Sequence, residues 1–478
     1  MKSLAKNTAF NMIYSVTNLL FPIITSMYAA RILLPEGLGR VSYAQNVVSY
    51  FVVLAALGIP TYGIRETAKV RDDPQKRNRL FTELLLINGI TTAIALVLFL
   101  LLLHFSDDFA KDRMLFLCCG IQLILNSINV DWFFRGYEEY VYIVIRSMTI
   151  RVISILAVFL FIHTRDDYII YALISSISAA GNNIFNIIHV RKYVKLEFRG
   201  LKIVRHFQPI LILAVSSFLG TIYSRLDITM LGSMATKTSV GLYSSAHRLV
   251  DIVTTLCCSV ALGFLPRLSN CYENDRERFF HYLEIGICAL LFFVPPVYVG
   301  LNIVAPHGVL LVYGEAFAPA ILTIRILSGI ILVKSFGDLL CYQVAISTGN
   351  EKKRLPAYVI AAALNVILNA ILIPQYAQNG AAMASVASEL LLNGYLLFTM
   401  RKIVPIHINR TAILQALAST AVMAGCVVGI GQIQVGLLLS CILMVGCGGA
   451  AYILANYIMR NQMLFAVLKK IKTGKSGK

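Results

Sequence analysis

The stretch ILAVSSFLGTIYSRLDITMLGSM, residues 212–234, is apolar or small over most of its length, yet it carries Arg225 and Asp227 well inside. At about 1.5 Å per residue, a helix of this length crosses the roughly 30 Å hydrocarbon layer of a bilayer. Reading it as a membrane span decides the fold, because similar runs recur along the chain. Of 478 residues, 58% are hydrophobic and 14% charged, and the mean hydropathy is +0.74. Soluble domains have a charged fraction near a quarter. Fourteen spans are predicted: 8–34, 40–63, 80–104, 114–134, 141–163, 168–190, 208–233, 239–265, 281–303, 321–347, 356–375, 380–401, 412–432 and 436–459. They are too long and too uniformly apolar for barrel strands, which alternate over about ten residues. The expected class is therefore an all-α polytopic membrane protein with 14 transmembrane helices. The first run lacks a small-residue cleavage site and reads as a retained span, not a signal peptide.

The net charge of +18 invites a nucleic-acid reading, but its placement argues against one. With the N-terminus inside, the outer connections hold few cations: Arg40, Lys111, Arg113, Arg165 and Lys237. The other side holds Arg65 to Arg79, Arg191 to Arg205 and the tail KKIKTGKSGK. This asymmetry follows the positive-inside rule and predicts cytoplasmic termini, with anionic lipid headgroups as the partner of the excess charge and no nucleic acid. The ten cysteines lie mostly in apolar runs and show no zinc or redox spacing, so neither metal nor cofactor is expected. No phosphate-binding loop or zinc-protease motif occurs, and the short connections leave no room for a catalytic domain.

An internal repeat organises the spans. GLGRVSYAQ (37–45), entering the second, resembles SVGLYSSAH (239–247), entering the eighth, and RKYV (191–194) leaves the sixth as RKIV (401–404) leaves the twelfth. The order predicts two parallel six-helix lobes, 1–207 and 208–411, followed by 412–478 with two extra helices and a basic tail. In transporters built from such repeats the substrate site lies between the halves.

Charges inside spans are costly, about 2.5–3.5 kcal/mol each on insertion scales, and usually face a cavity or a partner. Arg31 lies near an outer end; Arg146 and Arg151 are in the fifth span, Arg225 and Asp227 in the seventh, Arg248 and Asp251 in the eighth. The tenth holds Arg325, Lys334 and Asp338, and the twelfth Glu389. Lys334 and Asp338 share a face at i,i+4, where an ion pair is as good a reading as ion coupling; Arg248 and Asp251 at i,i+3 are similar. Arg151 has no acid on its own helix and reads as cavity-facing. The excess of arginine over acid suits an anionic, phosphate-bearing substrate. Asp227, Asp251 and Glu389 are candidates for ion coupling or for pairing with arginine. Asn365 and Asn369, four apart, either bond neighbouring helices or line a polar lumen.

Several stretches taken together resemble one family: RILLPEGLGRVSYAQ (31–45), DWFFRGYEEY (131–140), RLDITMLGSMATKTSVGLYSSAHRLVD (225–251), YGEAFAPAILTIRIL (313–327), STGNEKKR (347–354) and LNVILNAILIPQYAQNGAAMASVASE (364–389). They look like the Wzx-type polysaccharide flippases of the multidrug/oligosaccharidyl-lipid/polysaccharide (MOP) exporter superfamily. The resemblance implies two six-helix bundles around a cavity and an undecaprenyl-pyrophosphate-linked oligosaccharide as substrate. It also implies alternating access across the bacterial cytoplasmic membrane, and a polysaccharide polymerase and other assembly proteins as candidate partners. Cavity cations carry over to Arg225 and Arg248, with Asp227 beside them, in the matching motifs; Arg146 and Arg151 rest on depth alone. The lipid II flippase branch shares the helix count, but its Arg-Asp pattern is missing, since Ile32 follows Arg31. A drug antiporter of the same fold would want an acidic cavity. A membrane-bound glycosyltransferase would want a larger loop bearing catalytic acids.

Arg225 and Asp227 point about 200° apart on a helix. The expectation is that Arg225 faces the cavity while Asp227 engages a neighbouring helix, with Arg248 as a candidate partner.

Overall fold

The starts of two early helices sit where glycine, proline and a capping aspartate supply the signal, whereas the breaks inside the two longest helices do not. The computed structural model describes residues 4–401, 409–433 and 435–466, with side chains from Ile24 onward apart from those of residues 107, 108 and 216. The basic tail after residue 466 and the RKIV match beyond Arg401 lie outside the described residues. The first helix, α1 (Leu4–Ala56), is interrupted at Leu34, whose φ of 58° and ψ of 178° are not helical. α2 (Ile59–Val70) starts after Gly58 and has a proline in its first turn. α3 (Pro74–Phe105) is capped by Asp73, whose carboxylate accepts the backbone N–H groups of Gln75 and Lys76, both at 3.1 Å. The Lys76 N–H holds that exposed carboxyl below its usual range.

The first of two compact units, Met1–Gly232, also contains α4 (Arg113–Asn126), α5 (Asp131–Gly136), α6 (Tyr140–Phe161), α7 (Tyr168–Ala180) and α8 (Asn182–Val190). It ends within α9 (Val204–Met234). α1 packs on α3, α4 and α6, and α4 on α7. The short α5 docks on α2. Its motif DWFFRG buries Trp132, Phe133 and Phe134 among Tyr62, Phe81, Leu84 and Ile143. Gly63 makes this docking possible: a Cβ there would meet the Trp132 ring at 2.6 Å. Gly63→Ala should therefore destabilise the protein by about 1–3 kcal/mol through overpacking. Earlier thermal unfolding, followed by the emission of Trp132, the only tryptophan in the chain, would test this.

The second unit, Ser233–Lys478, comprises α10 (Lys237–Leu262), α11 (Leu265–Asn274), α12 (Arg276–Val312), α13 (Ala320–Leu327), α14 (Gly329–Gly337), α15 (Arg354–Met400), α16 (Arg410–Gly431) and α17 (Leu437–Ile458). α10 packs on α13 and α14, which in turn contact α15. A π-helical segment, Asp338–Gln343, continues from α14. α15 is broken at Ala377, with φ 45° and ψ −123°. The chain folds back there, so that a Cβ on Gly380 would lie 2.3 Å from the Leu372 carbonyl oxygen. Pro374 thus sits three residues before the reversal. The two final helices are not detached: α16 and α17 close on α12 around Phe292, Met423, Val427, Met444, Tyr452 and Leu464.

Among the described residues, eleven helical stretches are long and apolar enough to cross a membrane. That is fewer than the fourteen runs read from sequence, for a physical reason. Ile24–Val70 and Glu351–Met400 each contain one of the breaks, at Leu34 and Ala377, and Arg113–Asn126 is too short to qualify alone.

Candidate functional site

α6 carries two of the intramembrane cations, and they occupy different surroundings. Arg146 is buried with its guanidinium shared among three side-chain oxygens from two neighbouring helices. It meets Asp131 Oδ1 of α5 at 2.9 Å, Asn182 Oδ1 at 3.1 Å and the Asn186 side-chain oxygen of α8, with the Tyr142 ring 5.5 Å away. Asp131 also takes Arg135 Nε at 2.9 Å. A planar five-donor fork suits such a multi-acceptor pocket better than an ammonium would. Asp131 lies at the end of the fourth predicted span, and its pairing with Arg146 of the next span, across a turn, has no i,i+3 or i,i+4 spacing to reveal it. Arg151, five residues on and half-buried, points to a different side of α6.

On α9, Arg225 is exposed and Asp227 is buried, as their angular separation requires. The backbone around them is tied to α1. Asn46 Nδ2 donates to the Arg225 carbonyl at 3.2 Å and to Thr229 Oγ1 at 2.7 Å, and the Tyr50 hydroxyl lies 2.7 Å from the same Thr229 oxygen. At Gly232 the helix rests on Tyr43, where a Cβ would come within 2.1 Å of the ring.

The other end of α9 is held by a cluster that sequence reasoning missed. Glu83 of α3 is almost completely buried. It accepts from His206 Nε2 at 2.8 Å, from Arg205 at 2.7 Å and from the Lys202 backbone N–H. His206 Nδ1 lies 2.7 Å from the Tyr62 hydroxyl of α2. With Glu83 an acceptor only, the His206 Nε2–H donates to it, and Nδ1 shares a hydrogen bond with the Tyr62 hydroxyl. Three helices are thereby joined through groups that have no spacing signature in the sequence.

In the second unit, Arg248 is half-buried and Asp251 exposed on α10. Lys334 is exposed and Asp338 half-buried. Asp338 lies within electrostatic reach of Lys334, Arg354 and Glu389, and Glu389 accepts a bond from Asn393 at 3.0 Å. Asn365 and Asn369 are both buried, and Asn369 Nδ2 donates to Asn365 Oδ1 at 3.0 Å. Arg31 and Arg325 are exposed, close to helix ends.

The profile of the polysaccharide biosynthesis protein family matches residues 4–271, more than half of the chain. The chain belongs to that family. A candidate O-antigen transporter of Escherichia coli (strain K12) is 22% identical to this chain over 403 residues, 84% of this chain and 97% of the relative. The solved lipid II flippase MurJ, in its inward closed conformation, aligns with a TM-score of 0.69 at 16% identity, covering 93% of this chain and 99% of that one. A multidrug resistance MATE family transporter of the MOP superfamily, in its inward-facing conformation, aligns at 0.64 and 17%, covering 80% and 94%. These likenesses establish the fold. The chain is a multi-pass helical membrane protein with the fold that these two proteins share.

Proposed function

We propose that this protein flips an undecaprenyl-pyrophosphate-linked oligosaccharide repeat unit across the bacterial cytoplasmic membrane by alternating access, for synthesis of a surface polysaccharide. The observation that carries the reading is the family match over residues 4–271. The candidate O-antigen transporter, aligned over nearly its whole length, supports the substrate class. In this reading the breaks at Leu34 and Ala377 each separate two crossings. The segment from Arg113 through α5 forms a further short one, giving fourteen crossings with both termini cytoplasmic.

Arg151, Arg225 and Arg248 hold the pyrophosphate. Exposure of Arg225 deep within a span supports its part, because a charge at that depth is tolerated only against polar surroundings. Arg146, engaged by Asp131, Asn182 and Asn186, fixes the position of α6 and with it Arg151. Asp338 and Glu389, near one another and near two cations, are the acids best placed for ion coupling.

The test is complementation of a strain lacking its own repeat-unit flippase. Arg151→Ala, Arg225→Ala and Arg248→Ala should each cut surface polysaccharide at least about tenfold, the loss of one charge-assisted phosphate contact, at unchanged membrane level. Normal glycan from all three variants would overturn the cation assignment. Drug resistance conferred without any glycan would overturn the substrate class.

A further inference from the structure

In the second unit, a cavity of about 310 Å³ opens where the start of α12, the start of α16 and the end of α17 meet. Its upper wall is polar and oppositely charged: His281 and Glu284 from α12, and Arg460 from the turn after α17. Its floor is apolar, with Ile285, Cys288 and Phe292. Among the described residues neither Glu284 nor Arg460 has an ion-pair partner.

Arg460 adds an independent observation. It adopts the left-handed conformation, φ 51°, at the helix end where glycine is the usual residue. The turn itself is well satisfied: Asn461 N–H donates to the Asn456 carbonyl at 2.9 Å, and Gln415 ties the turn to α16 through the Met459 carbonyl at 3.0 Å. The backbone would be better served by glycine, so the cationic side chain is kept there against local preference.

We propose that this cavity binds the zwitterionic head group of a membrane phospholipid of the phosphoethanolamine class. Arg460 and His281 take the phosphate, and Glu284 takes the ammonium. The apolar floor and the exposed Leu414, Leu417, Leu454 and Ile458 on α16 and α17 lie toward the acyl chains. Polar rim over apolar floor, on helices that cross a membrane, is the arrangement of a head-group site at the lipid–water boundary. Arg276, Arg278, Arg410 and Arg460 cluster at these helix ends, which assigns the site to the leaflet on the positive, cytoplasmic side.

Purified full-length protein in detergent provides the test, with lipid retention read by native mass spectrometry and stability by thermal unfolding. Dioleoylphosphatidylethanolamine should be retained and should raise the unfolding temperature. Dioleoylphosphatidylglycerol and dioleoylphosphatidylcholine should bind about tenfold more weakly, one lacking the ammonium and the other unable to donate N–H to Glu284. Arg460→Gly should lower retention about tenfold while leaving the lipid-free protein as stable as before, since it relieves the left-handed strain. Glu284→Gln should remove the preference over phosphatidylglycerol. Equal retention by Arg460→Gly, or equal binding of phosphatidylglycerol to the wild type, would overturn the assignment. The same stabilisation by water-soluble glycerophosphoethanolamine would overturn the lipid as its source.

Discussion

Asp131→Leu should lower stability by about 3–5 kcal/mol, because it leaves the buried Arg146 guanidinium without its counter-charge. Asn182 and Asn186 would still accept from it, but neutral amides offset little of the cost of a buried cation. The double variant Asp131→Leu with Arg146→Met removes both charges and should recover most of that loss, since a paired ion replaced by apolar groups of similar volume is close to neutral. Thermal unfolding of the four proteins in detergent closes the cycle, with a coupling energy of several kcal/mol expected between the two sites. If the double variant proved as unstable as Asp131→Leu alone, the pair would not be what holds α5 to α6. Normal stability of the single variant would say the same.

Glu83→Gln should cost about 1.5–3 kcal/mol, the worth of hydrogen bonds made to a charged acceptor. Gln keeps one carbonyl oxygen for the Lys202 N–H or the His206 Nε2–H, but turns its amide toward donors that cannot accept. Glu83→Leu, which leaves His206, Arg205 and Lys202 all without their acceptor, should cost more. The readout specific to this site is backbone amide exchange: residues 202–210 should lose protection in both variants while α16 and α17 keep theirs. Uniform loss of protection across both units would mean that Glu83 acts on global stability and not as the fastening of α9.

Much of this architecture is legible in the sequence because a bilayer imposes one length on every crossing. The runs at 80–104 and 281–303, for example, need nothing more to be read as spans. The chain reversals are harder. Pro374 and the small residues after it mark a turn, yet the break falls at Ala377, where no propensity singles out the residue. The opposed directions of Arg225 and Asp227 follow from helix geometry alone, and one is indeed exposed and the other buried. Partners are a different matter. Arg146 finds Asp131 across a turn, and Glu83 finds His206 at a sequence separation of 123 residues. Periodicity describes one helix at a time and holds no information about which helices meet. In sequence the motif DWFFRG is only a family marker; its packing role rests on Gly63 presenting bare backbone to Trp132, which only the assembled helices reveal.

α9 is anchored near His206 by the Glu83 cluster and near Thr229 by Asn46 and Tyr50, while Leu211, Ile212, Val215 and Leu219 between them are exposed. The two anchors are about 34 Å apart along the axis. A helix in hydrocarbon does not melt, because each broken backbone hydrogen bond would go unmet. Its remaining freedom is elastic. With the gentle curvature ordinary for long helices, a rod fastened at both ends over this span displaces its midpoint by on the order of 2 Å. α9 therefore behaves as a clamped leaf spring, able to store and return a small deflection while both of its fastenings stay closed.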